Sequence, residues 1–420
     1  RTRGDGSYKC GAIVMDSLIN AAARALASGD PLGALNRVAL RHDAPALALR
    51  GIAMAQLGDL DRAKALLKNA ARAFGAKEPV SHARCIVAEA EIALVSRDLS
   101  WPTEALETAR ITLERYGDRS NAAHARTLEI RRLLLIGRLD QADLILRRID
   151  PAEFPAALRA VLELAIAGIA MRRVRAQDAR SALKRAGVAA RQAGIAPLMA
   201  EVEGAIAMLN APAARSITRR VERALRLDEV EELFDSTALI IDACRYVVRE
   251  AGEIVSLATR PVLFALLRAL AEAWPGDVSR DDLVRAAFGA READESHRAR
   301  LRVEIGRLRN LIRALAGVNA TPSGFIVMPR GAREVVVLAR PVDERYGEIL
   351  ALMADGEAWS SSSLALALDS SQRTVQRAVD ALAADGKIQV FGRARARRWM
   401  TPPMVGIATT LLLPAPLADG

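Results

Sequence analysis

The run His297-Arg298-Ala299-Arg300-Leu301-Arg302-Val303-Glu304-Ile305-Gly306-Arg307-Leu308-Arg309, continued by Asn310-Leu311-Ile312-Arg313-Ala314-Leu315, decides how the C-terminal half is read. Leu301, Ile305, Leu308, Leu311, Ile312 and Leu315 recur at spacings of three and four, the period of one buried helix face. Between them stand Arg298, Arg300, Arg302, Arg307, Arg309 and Arg313 against a single acid, Glu304. The spacing predicts one long helix from about Asp294 to Ala316, with a core face and a guanidinium face. Such a helix suits a phosphate backbone, because local clusters of cations rather than net charge meet phosphates.

Reading outward, Leu239-Ile240-Ile241, Tyr246-Val247-Val248 and Glu253-Ile254-Val255 are short β-branched runs around the turn Glu250-Ala251-Gly252, and they predict a small antiparallel sheet. A helix is expected over Thr259–Ala273, then a Trp274-Pro275-Gly276 break and a short helix Arg280–Phe288 capped by Ser279. Beyond the long helix, Gly324-Phe325-Ile326-Val327-Met328-Pro329 and Glu334-Val335-Val336-Val337-Leu338 are expected to form a hairpin. Sheet, three helices and hairpin in that order make a winged helix, in which the third helix enters the major groove and the hairpin reaches the flanking backbone.

Residues 238–340 resemble the effector domain of the OmpR/PhoB response-regulator family. The likeness rests on Val255-Ser256-Leu257-Ala258, Phe264-Ala265-Leu266-Leu267-Arg268-Ala269-Leu270, Val278-Ser279-Arg280-Asp281-Asp282-Leu283, Arg302-Val303-Glu304-Ile305-Gly306-Arg307-Leu308-Arg309 and Ser323-Gly324-Phe325. It implies base-edge contacts from His297, Arg298, Ala299 and Arg302, and phosphate contacts from Arg300, Arg307 and the wing residue Arg330. The phosphoacceptor receiver domain of that family has no counterpart in the sequence, so a helical domain takes the sensor's place. Regulators of antibiotic clusters combine the same parts in the opposite order.

A second unit, 341–400, reads as helices over Asp343–Met353, Ser361–Leu368 and Gln372–Ala384, followed by a hairpin of Lys387-Ile388-Gln389-Val390-Phe391 and Arg398-Trp399-Met400. It resembles the small winged helix of DeoR-type repressors, with Val375, Val379 and Leu382 facing the core. Ser370, Gln372, Arg373, Thr374 and Gln376 are candidate base readers, since Arg favours guanine and Gln favours adenine in the major groove. Arg377 lies on the same helix and joins the DNA-binding candidates. Lys387, Arg393, Arg395, Arg397 and Arg398 make a hairpin with no acid in it, suited to phosphates or the minor groove.

From Asp16 to about 215 the text is a series of amphipathic helices with short breaks. A phrase recurs at the breaks: Gly29-Asp30-Pro31-Leu32-Gly33-Ala34, Gly58-Asp59-Leu60-Asp61-Arg62-Ala63 and Gly137-Arg138-Leu139-Asp140-Gln141-Ala142. Weaker copies run from Arg97 to Ala105 and near Ala176–Ala179. In each clear copy Gly ends a helix and the small Ala lets the next pack closely. The region resembles tetratricopeptide repeats, best at Ala48, Gly51, Leu57, Gly58, Asp59 and Ala63, though an irregular helical array fits nearly as well. Stacked helical pairs imply a surface for a protein, peptide or small-molecule partner. Residues 1–15 are expected to be a disordered leader, 216–237 a linker, and 401–420 an apolar arm.

The fold class that follows is mainly α: a tetratricopeptide-like array and then two winged helix-turn-helix domains with small sheets. Aliphatic composition agrees, because 51% of residues are hydrophobic but only 4% aromatic. The net charge of +10 does not locate a DNA site, since residues 1–215 carry 32 basic and 23 acidic side chains and 216–420 carry 28 and 27. Cys10, Cys85 and Cys244 and the four histidines His42, His82, His124 and His297 are scattered, so neither a metal nor a cofactor is expected. No lysine-bearing phosphate loop, nucleophile elbow or HExxH motif is present, so no enzyme activity is expected. No apolar stretch reaches the roughly 20 residues of a membrane span. The expected protein is a cytoplasmic, sequence-specific regulator of transcription that binds double-stranded DNA, as a monomer or a homodimer. The alternatives are a protein-interaction scaffold that uses its winged helices for assembly, and an architectural DNA binder without sequence preference.

Overall fold

The computed structural model describes residues 17–99, 101–151, 154–288, 294–332, 334–340, 346–353, 358–368, 370–392 and 397–400. The expected leader and the apolar arm therefore lie outside the described residues. The chain is mainly helical, with small sheets. Its first helices are α1 (Ser17–Ala27), α2 (Pro31–Val38), α3 (Ala44–Gln56), α4 (Leu60–Phe74), α5 (Pro79–Val95), α6 (Thr103–Arg115), α7 (Arg119–Leu135) and α8 (Leu139–Leu146). Next come α9 (Ala156–Arg172), α10 (Ala176–Ala193) and α11 (Ala196–Asn210). The mixed part follows as β1 (Ala214–Thr218), β2 (Val221–Leu225), α12 (Leu227–Phe234), β3 (Leu239–Asp242), β4 (Val247–Glu250), β5 (Glu253–Ser256), α13 (Pro261–Ala273), β6 (Val278–Ser279), α14 (Arg280–Phe288), α15 (Glu295–Leu311), β7 (Ala316–Ala320), β8 (Gly324–Pro329) and β9 (Val335–Ala339). Then come α16 (Gly347–Leu352), α17 (Ser361–Ala367), α18 (Gln372–Ala384), β10 (Gln389–Phe391) and β11 (Arg398–Met400).

Contacts among the described residues divide the chain into two compact units: one of 17–165, Lys184–Glu203 and 348–400, the other of Ile166–Leu183 and Gly204–Gly347. Chain order and compactness part company at Ile166–Leu183, which join the second unit, and from Glu348, where the chain returns to the first.

In the first unit the recurring phrase has a physical basis. Gly29, Gly58 and Gly137 take φ of 77°, 87° and 75°, the left-handed turn that ends a helix at no cost to a residue without Cβ. Five residues on, Ala34, Ala63 and Ala142 are fully buried. In two of the three copies an Asp caps the next helix: Asp30 accepts from the Gly33 N–H at 2.8 Å and Asp59 from the Arg62 N–H at 3.2 Å, while Arg138 in the third makes no side-chain cap. Gly117-Asp118, with Ala122 buried and Asn121 N–H donating to Asp118, is a further copy that the sequence reading passed over. The weak copies are weak because Arg97 (φ 50°) and Val174 (φ 56°) occupy the left-handed position instead of Gly.

Helices α5 and α7 are buried on most sides, and between them His124 Nε2 lies 2.9 Å from Glu91, both about 2% exposed. In the same unit α16–α18 enclose Ile349, Trp359, Leu364, Val375, Val379, Leu382 and Trp399. Trp359 and Trp399 exchange two backbone hydrogen bonds of 2.7 Å, adding Trp359 to the β10–β11 ladder. This small module meets the break after α5: Leu99 N–H donates to Ser363 Oγ at 3.2 Å, and the Arg97 guanidinium lies 5.6 Å from the Trp359 ring centre.

The second unit holds a six-stranded sheet in the order β2-β1-β9-β3-β4-β5, with β3 and β9 parallel and the other neighbours antiparallel. Two expectations are corrected here. The stretch 216–237, expected as a linker, carries most of β1, then β2 and α12, because Ala214, Leu225 and Val230 bury against Ala238, Ile240, Val336 and Leu338. The expected hairpin between 324–329 and 334–338 does not form. β8 pairs instead with β7, and β9, buried on both faces, runs between β1 and β3. The long helix accordingly stops at Leu311, and Ala316 opens β7. One core, from Phe264, Leu267 and Leu270 of α13 through Leu283 of α14 to Leu301, Ile305 and Leu308 of α15, joins this sheet to the three-stranded sheet β6-β8-β7.

Candidate nucleic-acid interface

Helix α15 starts where Asp294 accepts from the His297 backbone N–H at 2.8 Å. That bond, at a helix N-terminus, holds the Asp294 carboxyl below its ordinary range. Leu301, Ile305 and Leu308 are buried, which turns the opposite face outward. At about 100° per residue, Arg298, Arg302 and Arg309 fall within roughly 40° of one another along one flank. Arg300 and Arg307 form the other flank, and Ala299, Val303, Gly306 and Asn310 lie between. The arginines are mostly held: Arg298 by Asp281 at 3.3 Å, Arg302 by Glu295 at 3.2 Å and Arg307 by Glu304 at 2.9 Å, while Arg300 lies 4.5 Å from the Phe288 ring centre.

Of the residues expected to read bases here, Arg298, Ala299 and Arg302 are exposed together. His297 is half-buried and its Nδ1 lies 2.6 Å from Asp294, so its side chain belongs to the helix cap. Val303, 54% exposed on the middle of the face, escaped the sequence reading. Its signal was its place one helical turn after Ala299.

Beside α15 the hairpin β7–β8 is anchored at its turn. Ser323 and Thr321 hydroxyls both donate to Asp277 and hold its carboxyl below the usual range, and Arg280 donates to the Thr321 and Pro322 carbonyls at 3.1 and 3.0 Å. Gly324 passes so close to β6 that a Cβ would sit 1.7 Å from the Val278 carbonyl oxygen. Arg330, expected on the wing, follows β8 and donates its backbone N–H to Leu315 at 3.0 Å, which puts it at the hairpin's base.

In the other unit, Ser371 caps α18 by accepting from the Thr374 N–H at 3.1 Å. Val375, Ala378, Val379 and Leu382 bury one face, leaving Gln372, Arg373, Thr374 and Arg377 exposed, with Ser370 just before them. Gln372, Arg373, Gln376 and Arg377 border a shallow groove of about 460 Å³. Gln376 is committed to Asp380, donating to both carboxylate oxygens at 3.1 Å. Asp380 also pairs with Arg397 at 3.2 Å, so the acid missing from the hairpin comes from the helix beside it. Arg398 donates to the Arg397 carbonyl at 3.2 Å and Lys387 is half-buried. Arg393 and Arg395 lie outside the described residues.

No family model, curated protein or solved structure matches the chain. The candidate site therefore stands on its own geometry. Among the described residues no three His, Cys, Asp or Glu side chains gather as metal ligands would, and no helix is long and apolar enough to cross a membrane. Cys85 and Cys244 are free thiols pushed up by burial to about 12 and about 11, values that leave little of the reactive thiolate.

Proposed function

We propose that the chain is a sequence-specific regulator of transcription that binds double-stranded DNA through two winged helices, α13–α15 with β7–β8 and α16–α18 with β10–β11. The observation that carries the reading is a repeated one. In each module a helix buries one apolar face and leaves exposed guanidinium or amide side chains on the other, beside a two-stranded hairpin. Arginine and glutamine on such a face match the donor and acceptor edges of the major groove, and flanking arginines match phosphates. In α15 the small side chains Ala299 and Gly306 let the helix approach the base edges, with Val303 between them and the arginine flanks towards the two strands.

The helical array takes the sensing role in this reading, binding a protein, peptide or small molecule, and the protein works in the cytoplasm. Its contact with the second module through Leu99 and Arg97 is a route by which occupancy of the array reaches a DNA reader.

The test is retention of genomic DNA fragments by the purified chain at about physiological salt with competitor duplex present, followed by sequencing. Enrichment of one motif supports a specific regulator. Uniform retention replaces it with an architectural binder, and no retention with a protein-interaction scaffold.

A further inference from the structure

At the C-terminal end of α15 lies a groove of about 480 Å³ lined by Arg309, Arg313, Arg330 and the β7 residues Ala316, Gly317, Val318, Asn319 and Ala320. No carboxylate lines it. Glu250 abuts Gly331 next door but is not among the lining residues. We infer that Arg313 and Arg330 form a seat for one phosphodiester group of duplex DNA, at the far end of the helix from its base-reading residues. The inference rests on the DNA-binding reading above.

Arg298, Arg302 and Arg307 of α15 each have a carboxylate, and Arg300 has an aromatic ring. Among the described residues neither the Arg313 nor the Arg330 guanidinium has an ion pair or hydrogen bond, although both border one groove with Arg309. Like charges gathered without a counter-ion repel. An anion between them reverses the sign, and guanidinium is the group that grips a phosphate through two parallel N–H donors.

Arg309 Nε donates to the Val318 carbonyl, and its guanidinium lies 5.8 Å from the Phe325 ring centre, so it braces the helix against the hairpin. The bond from Arg330 N–H to the Leu315 carbonyl fixes Arg330 to the same corner. β7 is the edge strand of its sheet, so half of its backbone groups have no strand partner, and Ala316, Gly317 and Ala320 add little bulk. Backbone N–H groups beside arginines are ordinary phosphate donors.

At about 1.5 Å per residue, Leu311 at the end of α15 is roughly 14 Å along the axis from Arg302. That already exceeds the major groove's width of about 12 Å. With Arg302 at a base edge, Arg313 lies at the groove wall, where the sugar-phosphate chain runs. This position favours a duplex phosphodiester over a free phosphate.

The experiment measures the affinity of the full chain for a mixed-sequence duplex across a salt series, with Arg313→Gln, Arg330→Gln and the double variant. Losing one phosphate contact reduces the slope of log affinity against log salt by about 0.9. Each single variant is expected to lose that amount and the double variant no more, because both side chains hold the same phosphate. Melting without DNA is expected to stay level or rise as the repulsion is relieved. Unchanged slopes overturn the inference while leaving the DNA reading intact. So does a double variant that loses twice the single amount, which means two separate contacts. A lowered melting point in the single variants makes the arginines structural and overturns it as well. Stabilisation of the wild type by inorganic phosphate, with unchanged slopes, assigns the groove to free phosphate instead. A wild-type chain with no salt-dependent binding refutes the DNA reading, and the inference falls with it.

Discussion

Arg302→Ala separates stability from recognition more cleanly than any other change in α15. The Arg302–Glu295 pair spans 3.2 Å, but its side chains are 69% and 75% exposed. Pairs in such surroundings contribute about 0.2–1 kcal/mol. Alanine also has the highest helix propensity, which offsets part of that loss. The expected change in stability is therefore under about 1 kcal/mol, and a urea midpoint close to the wild type's checks it. Removing a base-reading arginine costs about 1–3 kcal/mol. At 1.4 kcal/mol per tenfold, that is roughly 5- to 150-fold in affinity. Fluorescence anisotropy at one salt concentration, with the enriched duplex and a mixed-sequence duplex side by side, reads the difference. Only the enriched duplex is expected to show the full loss. An equal loss on both duplexes would refute base readout by Arg302 and leave it a phosphate contact. Glu295→Gln, which releases Arg302 from its partner, is expected to tighten binding.

Three further outcomes follow from packing and burial. Gly324→Ala pushes a Cβ into the Val278 carbonyl and should destabilise the second unit by about 1–3 kcal/mol or more, read as a lower urea midpoint; an unchanged midpoint means β6 and β8 are not held this closely. Trp359→Ala empties a fully buried site in the β10–β11 module, with an expected loss of about 3–5 kcal/mol in denaturant titration, whereas a loss near zero would place Trp359 outside the core. Burial pushes the Glu89 carboxyl above its ordinary range, although Lys68, Lys64 and Arg72 offset part of the effect. Its contribution to stability is therefore complete below the unfolded value of about 4.3 and is lost as pH rises through the raised folded value. Glu89→Gln should raise the melting temperature at neutral pH and lose that gain near pH 4, and a pH-independent difference contradicts the assignment.

The helical array was legible because its punctuation is chemical. A glycine that ends a helix in the left-handed region, an aspartate that caps the next one and an alanine that lets two helices touch leave a signature in letters. Gly29 and Gly58 could be found by all three, and Gly137 by its glycine and alanine. Arg97 and Val174 adopt the same turn without the residue that advertises it, so the breaks they make look like noise. The strands were harder to read for the opposite reason. Val335 to Ala339 is β-branched and apolar throughout, which says strand and says nothing of its neighbour. The proximity of Gly324–Pro329 in sequence suggested that pairing. What decides it is that β9 is buried on both faces, a condition met in the interior of the six-stranded sheet between β1 and β3 and not in a hairpin exposed to solvent.

The candidate interface divides along the same line. Periodicity located the exposed faces of α15 and α18, because apolar spacing alone says which side is left over. It could not say which arginines on those faces are free, since that depends on carboxylates brought near by the fold. Asp281 comes from α14 to meet Arg298, and Asp380 comes from α18 to meet Arg397 of the hairpin. An arginine already held by a carboxylate must exchange one anion for another on binding DNA and gains only the difference. Among the described residues Arg313 and Arg330 have no such partner to give up, and for them the whole interaction is available to a phosphate. The residues that ranked highest by density of charge in the sequence are thus the ones whose charge the folded protein has partly spent, and the groove at the end of α15 is where it has not.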